Sequence, residues 1–116
     1  MRTPYHPALE EITVEGILHA LSDPVRIEIY ANLASAECAK NCSTFLTIQK
    51  RLLPKSTLSQ HFRILREAGL IRSERKGVEL INSTRCTELN DRFGMMIKAI
   101  IEAYVKQQSN IGTASP

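Results

Sequence analysis

The stretch PKSTLSQHFRILREAGLIRSERK, residues 54–76, decides the fold. Leu58, Phe62 and Leu65 recur at i, i+4 and i+7, which places them on one apolar stripe of a helix. Thr57, Ser59, Gln60, His61, Arg63 and Arg66 fall off that stripe. Pro54 and Ser56 mark the start, because proline is tolerated in a first turn and serine caps free N–H groups. Gly69 marks the stop, where a left-handed residue closes a helix, and Leu70 and Ile71 then open an extended run. Two readings fit such a helix. It is an ordinary surface helix with a solvated polar face, or it lays that face into a DNA groove. The second reading needs short donors and acceptors near the N-terminus for base edges, and basic side chains at the flanks for phosphates. Ser56, Thr57, Ser59, Gln60 and Arg63 meet the first need, and Lys55 and Arg66 meet the second. For His61, a groove or phosphate contact stands beside a hydrogen bond within the helix.

Charge favours the groove. Residues 50–76 hold eight basic side chains and two acidic ones, a balance of +6 in a chain whose net charge is +3. The rest of the molecule is therefore slightly acidic, and the positive charge is concentrated in one segment. That pattern suits a polyanion, because each neutralised phosphate releases a condensed counterion. A membrane surface would accept the charge, but this helix lacks the bulky apolar face of an interfacial anchor.

The 116 residues, 43% of them hydrophobic, leave room for a single domain over 1–116 with one core. The expected periphery is an N-terminal arm of about residues 1–7 and a flexible tail of about residues 109–116. No apolar run of about 18 residues predicts a membrane span, and MRTPYHPALEE at the start has no signal-peptide core. A cytoplasmic location is expected. Three cysteines, an odd number, do not suggest a secreted disulfide framework.

A coarse pass predicts a mainly α chain of about five helices with a small β-hairpin. The first helix covers about Ala8 to Leu21. The second begins at Asp23-Pro24, an N-cap followed by proline at the first helical position, with Val25, Ile29 and Leu33 inward. A loop of about residues 36–43 holds Cys38 and Cys42. A short third helix is expected near Thr44 to Leu53, and the polar-faced helix follows. The hairpin spans about Leu70 to Ser83, with Val78 and Leu80 alternating with Glu79 and Ile81 around a tip at Gly77. The fifth helix covers about Thr87 to Gln108, with Leu89, Phe93, Met96, Ile97, Ile100, Ile101 and Tyr104 as a wide apolar stripe. This order is that of a winged helix-turn-helix. Its wing carries Arg72, Arg75 and Lys76 towards phosphate or a minor groove.

LSDPVRIEIYANL (21–33) resembles the Leu-x-Asp-Pro-x-Arg segment that opens the second helix of ArsR-type repressors, and KSTLSQHFRILREAGLIRSERKG (55–77) resembles their recognition helix and wing. The resemblance covers roughly residues 10–105. It implies a homodimeric winged-helix repressor that binds double-stranded operator DNA, enters the major groove with residues 56–66, and dimerises through its first and last helices. The apolar stripe on the last helix independently asks for a partner, since a small domain cannot cover it alone. Leu9, Ile12, Ile97, Ile100, Ile101 and Tyr104 are the candidate dimer residues. Arg26, in the first of these segments, is either structural or a phosphate contact.

No cofactor is required for the fold. The family's zinc site pairs acidic and histidine ligands on the last helix. Here that helix has Glu88, Asp91 and Glu102, while His6, His19 and His61 lie upstream, so no such site is expected. The family's Cys-x-Cys site departs here to CAKNC (38–42). Cys38, Cys42 and Cys86 leave three readings open. They form a three-thiolate site for a soft ion, two of them join in a redox or sulfur-sensing bridge, with Lys40 favouring thiolate, or they are ordinary small residues. An enzyme is not expected, since no phosphate loop, His-Glu-x-x-His or nucleophile elbow is present. The competing class is an effector-independent protein-interaction module of winged-helix fold.

Overall fold

The computed structural model describes residues 4–35, 40–41, 47–48 and 51–113. Among them are four α-helices: α1 (Val14–Leu21), α2 (Pro24–Ser35), α3 (Lys55–Glu67) and α4 (Cys86–Thr113). Five short strands accompany them: β1 (Lys40–Asn41), β2 (Thr47–Ile48), β3 (Arg51–Leu52), β4 (Ile71–Lys76) and β5 (Glu79–Thr84). The architecture is mainly helical with an antiparallel wing, as expected, but with one helix fewer.

The expected first helix is interrupted. Leu9–Glu11 is a 3-10 turn, held by the Ala8 N–H donating to Glu11 Oε1 at 2.7 Å, and Ile12 and Thr13 are extended. Ile12, Thr13 and Val14 are three successive β-branched residues, stiff at χ1 and poor helix formers. Thr13 instead caps α1, its Oγ1 accepting the Gly16 N–H at 3.0 Å. The break lets Ile12 turn inward, where it is only 3% exposed.

Asp23 caps α2 as the sequence predicts, its Oδ1 accepting the N–H groups of Val25 at 2.8 Å and Arg26 at 3.2 Å. Val25, Ile29 and Leu33 are buried, and Tyr30 joins them. The helix predicted near 44–53 is not found in the described residues, which instead pair β2 with β3, Thr47 against Leu52 and Ile48 against Arg51. The segment from Ser43 to Ile48 is dominated by hydroxyl-bearing, aromatic and β-branched residues, which disfavour a helix and suit a pleated strand.

Helix α3 starts two positions earlier than a Ser56 cap would place it. Pro54 holds the N-cap position with extended backbone, so Ser56 falls inside the first turn rather than capping it. Leu58, Phe62 and Leu65 are at most 1% exposed, so the predicted stripe is the buried face. The helix ends in a Schellman motif: Leu70 N–H donates to Leu65 O at 3.1 Å and Gly69 N–H to Arg66 O at 3.0 Å. Gly69 has φ +89°, and a Cβ there would collide with Cδ1 of Ile12. That glycine therefore serves both the left-handed turn and the close approach of the Ile12 side chain.

In the wing, β4 and β5 pair from Ile71 against Thr84 to Lys76 against Glu79. Gly77, at φ +65°, and Val78 form the turn. Val78 was expected in the strand alternation but sits at the tip, 94% exposed. Strand β1 adds to the other side of β5, giving the order β1–β5–β4. Helix α4 continues past Gln108 to Thr113. Its Leu89, Phe93 and Ile97 enter the core, and Met96, Ile100 and Ile101 pack partly buried against it. Among the described residues, no helix is long and apolar enough to cross a membrane.

Candidate nucleic-acid interface

Burial of Leu58, Phe62 and Leu65 turns the opposite face of α3 outward. Lys55, Ser56, Thr57, Ser59, Gln60 and Arg63 are all exposed there. Ser56, Ser59, Gln60 and Arg63 together line a shallow surface depression. The groups that read base edges need this arrangement: short donors and acceptors with no bulky side chain above them. Arg63 approaches Glu67 at 3.9 Å, but both side chains are more than half exposed (60% and 54%), so the pair holds the guanidinium only weakly. At the wing tip, Arg75 and Lys76 are likewise exposed.

The remaining predicted contacts sit further back, and each has an internal partner. His61 is half-buried, with Nδ1 3.3 Å from the Arg26 guanidinium. Burial pushes its pKa down, Asp23 opposes that shift, and Arg26 adds to it. Neither reading made for His61 from the sequence included this link to α2. Arg66 donates to Ser73 Oγ at 3.0 Å, and the Ser73 hydroxyl donates to Asn82 Oδ1 at 2.6 Å, so the back of α3 is tied across both wing strands. Arg72 grips both oxygens of Glu88 at 3.0 and 2.8 Å. Arg85 shares that carboxylate, and hydrogen bonds from Arg85 and then Arg72 hold Glu88 below the usual carboxylate range. Arg66 and Arg72 therefore serve the joint between helix and wing.

Four further residues, Arg26, Arg85, Arg92 and His6, build the joint. Arg26, 7% exposed, donates to the carbonyls of Ala20 at 2.8 Å and His19 at 3.3 Å. It thereby serves the carbonyls at the end of α1, of which His19 O also accepts from Ser22, and of the two roles weighed for it the structural one describes this geometry. Arg85 donates to Pro7 O at 2.9 Å, and Arg92, further along α4, donates to Leu9 O at 2.8 Å. His6 accepts the Ser73 N–H through Nε2 at 2.9 Å. The arm from His6 to Leu9 is thus strapped along the outer edge of β4 and the first turns of α4. An Asp-Pro-x-Arg run hinted at Arg26, whereas nothing local in the sequence signals the distant pairing of His6 with Ser73.

The candidate dimer residues divide. Ile12 and Ile97 are buried within the chain at 3% and 6% exposure, so they have little surface left for a partner. Leu9, Ile100, Ile101 and Tyr104 remain partly exposed. Larger apolar surface lies elsewhere on α1 and α4, at Val14 (44%), Leu18 (47%), Met95 (88%) and Val105 (51%). Cys38 and Cys42 lie outside the described residues. Cys86 is exposed at the first position of α4, its Sγ 3.3 Å from the Thr84 hydroxyl that donates to it. Among the described residues, no group of three or more histidine, cysteine or acidic side chains is placed to hold a metal.

A family model described as a helix-turn-helix domain matches residues 21–74, which span α2 through most of β4. The chain is similar in structure to an ArsR-like transcriptional regulator from Rhodococcus sp. RHA1, with TM-score 0.56, 22% identity, and coverage of 87% of this chain and 91% of that one. It is similar to a second crystallised ArsR family transcriptional regulator, with TM-score 0.56, 18% identity, and coverage of 86% and 96%. It is also similar to the transcriptional repressor PagR of Bacillus anthracis, with TM-score 0.55, 28% identity, and coverage of 74% and 90%. No match was found among curated protein sequences. The chain carries a helix-turn-helix domain over residues 21–74, within a winged fold similar to those of transcriptional regulators described as ArsR-like.

Proposed function

We propose that this regulator is a homodimeric repressor that reads operator DNA with α3 and releases it on an effector or thiol-redox signal. The observation that carries the DNA contact is the unshielded run Lys55, Ser56, Thr57, Ser59, Gln60 and Arg63 on one face of α3. Arg75 and Lys76 on the wing tip supply a second phosphate contact beside it. His61, Arg66 and Arg72 act on DNA by positioning α3 and the wing. The 28% identical structure of a transcriptional repressor supports the repressing sign. The exposed apolar side chains Val14 and Leu18 on α1, and Met95 and Val105 on α4, support self-association through those two helices.

For the signal, Cys38, Cys42 and Cys86 are the candidates, by redox, sulfur or soft-metal chemistry. The test is a binding titration on the promoter upstream of the gene, with reduced and oxidised protein side by side and sedimentation to read the assembly. Binding only when reduced supports the thiol switch, and Cys38→Ser or Cys42→Ser then abolishes the response while leaving DNA binding intact. Equal binding in both states turns the search to another effector. No binding even at low salt overturns the DNA reading in favour of a protein-interaction module.

A further inference from the structure

We infer that the operator half-site holds a guanine and an adenine in neighbouring base pairs, the guanine taken by the guanidinium of Arg63 and the adenine by the side-chain amide of Gln60. This rests on the proposed entry of α3 into the major groove and adds which bases are selected there.

Ser56, Ser59, Gln60 and Arg63 line one shallow depression on α3. Their spacing is i, i+3, i+4 and i+7, so they share one arc of the helix, on the far side from the buried Leu58, Phe62 and Leu65. Lys55 and Thr57, both exposed, lie about 100° to either side of Ser56, at the rims of that arc. A phosphate contact belongs at a rim. Arg63 instead falls between Ser59 and Gln60 around the helix axis, in the middle of the arc. The two serines are short and accept more than one base, so selection falls to the two long side chains beside them.

In the major groove guanine presents two acceptors, O6 and N7, and adenine presents the N7 acceptor beside the N6 donor. A guanidinium, which only donates, matches guanine with two parallel N–H groups. A carboxamide, which donates and accepts, matches adenine. Both side chains stand exposed. Glu67 approaches Arg63 at Nε, at 3.9 Å, longer than a hydrogen bond, so it does not engage the Nη1 and Nη2 pair. Glu67 also continues the same arc one turn further on, where its carboxylate is repelled by phosphate, and this ends the reading stretch at Arg63. Along the helix axis Gln60 and Arg63 are about 4.5 Å apart, close to the rise of about 3.4 Å between base pairs. They therefore address neighbouring pairs.

The test is selection of duplexes from a randomised library by the full chain, followed by titrations on the enriched site. Neighbouring guanine and adenine are expected in each half-site. Replacing that guanine by another base, or by 7-deazaguanine, which lacks the N7 acceptor, should weaken wild-type binding about tenfold. Arg63→Ala should lose the guanine preference at that position and keep the adenine preference; Gln60→Ala should do the reverse. Both positions are exposed, so neither variant should disturb the fold. Preference rather than affinity is the readout, because removing a cation from the groove weakens binding to every sequence. An Arg63→Ala protein that still prefers guanine makes Arg63 a phosphate contact and overturns the assignment. A Gln60→Ala protein that still prefers adenine overturns it as well, as does an enriched site without the neighbouring pair. These outcomes leave DNA binding by α3 standing. Absence of binding to any duplex at low salt defeats the DNA reading itself, and the base assignment with it.

Discussion

Arg63 and Arg26 stand on neighbouring helices, and the fold treats them in opposite ways. Arg63 projects from the front of α3 with 60% of its side chain exposed and one loose approach to Glu67. Arg26 is 7% exposed and spends its guanidinium on the carbonyls of Ala20 and His19 and on the His61 ring. The same division runs through the basic segment. Arg75 and Lys76 are open at the wing tip, while Arg66 and Arg72 are held by Ser73 and Glu88. A count of positive charge by sequence therefore overstates what is offered to a phosphate backbone. Front residues stand open on the surface; joint residues tie that front to the rest of the fold.

Substitution at Arg26 should break that comparison most sharply. Arg26→Met keeps the apolar stem and removes the guanidinium hydrogen bonds, leaving the Ala20 carbonyl without its side-chain donor. A loss of about 3 kcal/mol is expected, in line with deletion of a buried charged donor, and urea denaturation reads it. Arg63→Ala should shift stability by less than about 0.5 kcal/mol yet weaken DNA binding several-fold and reduce the salt slope by about 1. Equal urea midpoints for the two variants would erase the distinction between front and joint.

Gly69 sharpens the same point through shape rather than charge. Gly69→Ala places a Cβ against Ile12 in a left-handed turn, and should cost about 2 kcal/mol. In an Ile12→Ala background the collision is relieved and only the backbone strain, about 1 kcal/mol, should remain. A full penalty in both backgrounds would mean that Ile12 does not set it. Arg72→Ala comes next in size. Its pair with Glu88 is more than a third exposed on both sides (38% and 37%), so screening limits the loss to under about 1 kcal/mol. Arg75→Ala should leave thermal stability unchanged while lowering DNA affinity.

The pattern of what was legible in the sequence follows from the range of the interactions. The α3 stripe, the Asp23 cap and the Gly69 stop are all local, and period, cap chemistry and left-handed geometry read them directly. The front of α3 was legible because it is simply the complement of that stripe. The break at Ile12 and Thr13 was missed because apolar spacing from Leu9 to Leu21 fits a helix, whereas three β-branched residues and a long-range contact to Gly69 overrule it. The pair β2–β3 was missed because Phe45, Ile48 and Leu52 mimic helical spacing in a segment whose residue types prefer strands. The joint partners of His61, Arg66 and Arg72 were invisible because each depends on tertiary proximity, as with Arg72 and Glu88, sixteen positions apart.

Acidification should separate the two regions once more, with the smallest effect. His6 accepts the Ser73 N–H through Nε2, which it can do only when that nitrogen is unprotonated. Burial lowers its pKa from 6.5, and Arg72, Arg66 and Arg85 lower it further. His61 is lowered as well, again chiefly by burial. A histidine depressed in the folded state binds fewer protons there than in the unfolded chain. Its contribution to stability is therefore complete above the ordinary value of about 6.5 and is lost as pH falls through the folded-state value. Glu88, depressed as a carboxylate, works in the same direction but below its ordinary 4.5. Urea midpoints between about pH 7.5 and pH 5 thus isolate the histidines. The wild-type chain should lose stability across that window. His6→Gln, which keeps an acceptor but cannot protonate, should flatten the slope, and adding His61→Gln should flatten it further. The hydroxyls and amide on the front of α3 do not titrate, so the pH response belongs to the joint. An unchanged slope in the double variant would show that these two rings are not what ties arm and helix together near neutral pH.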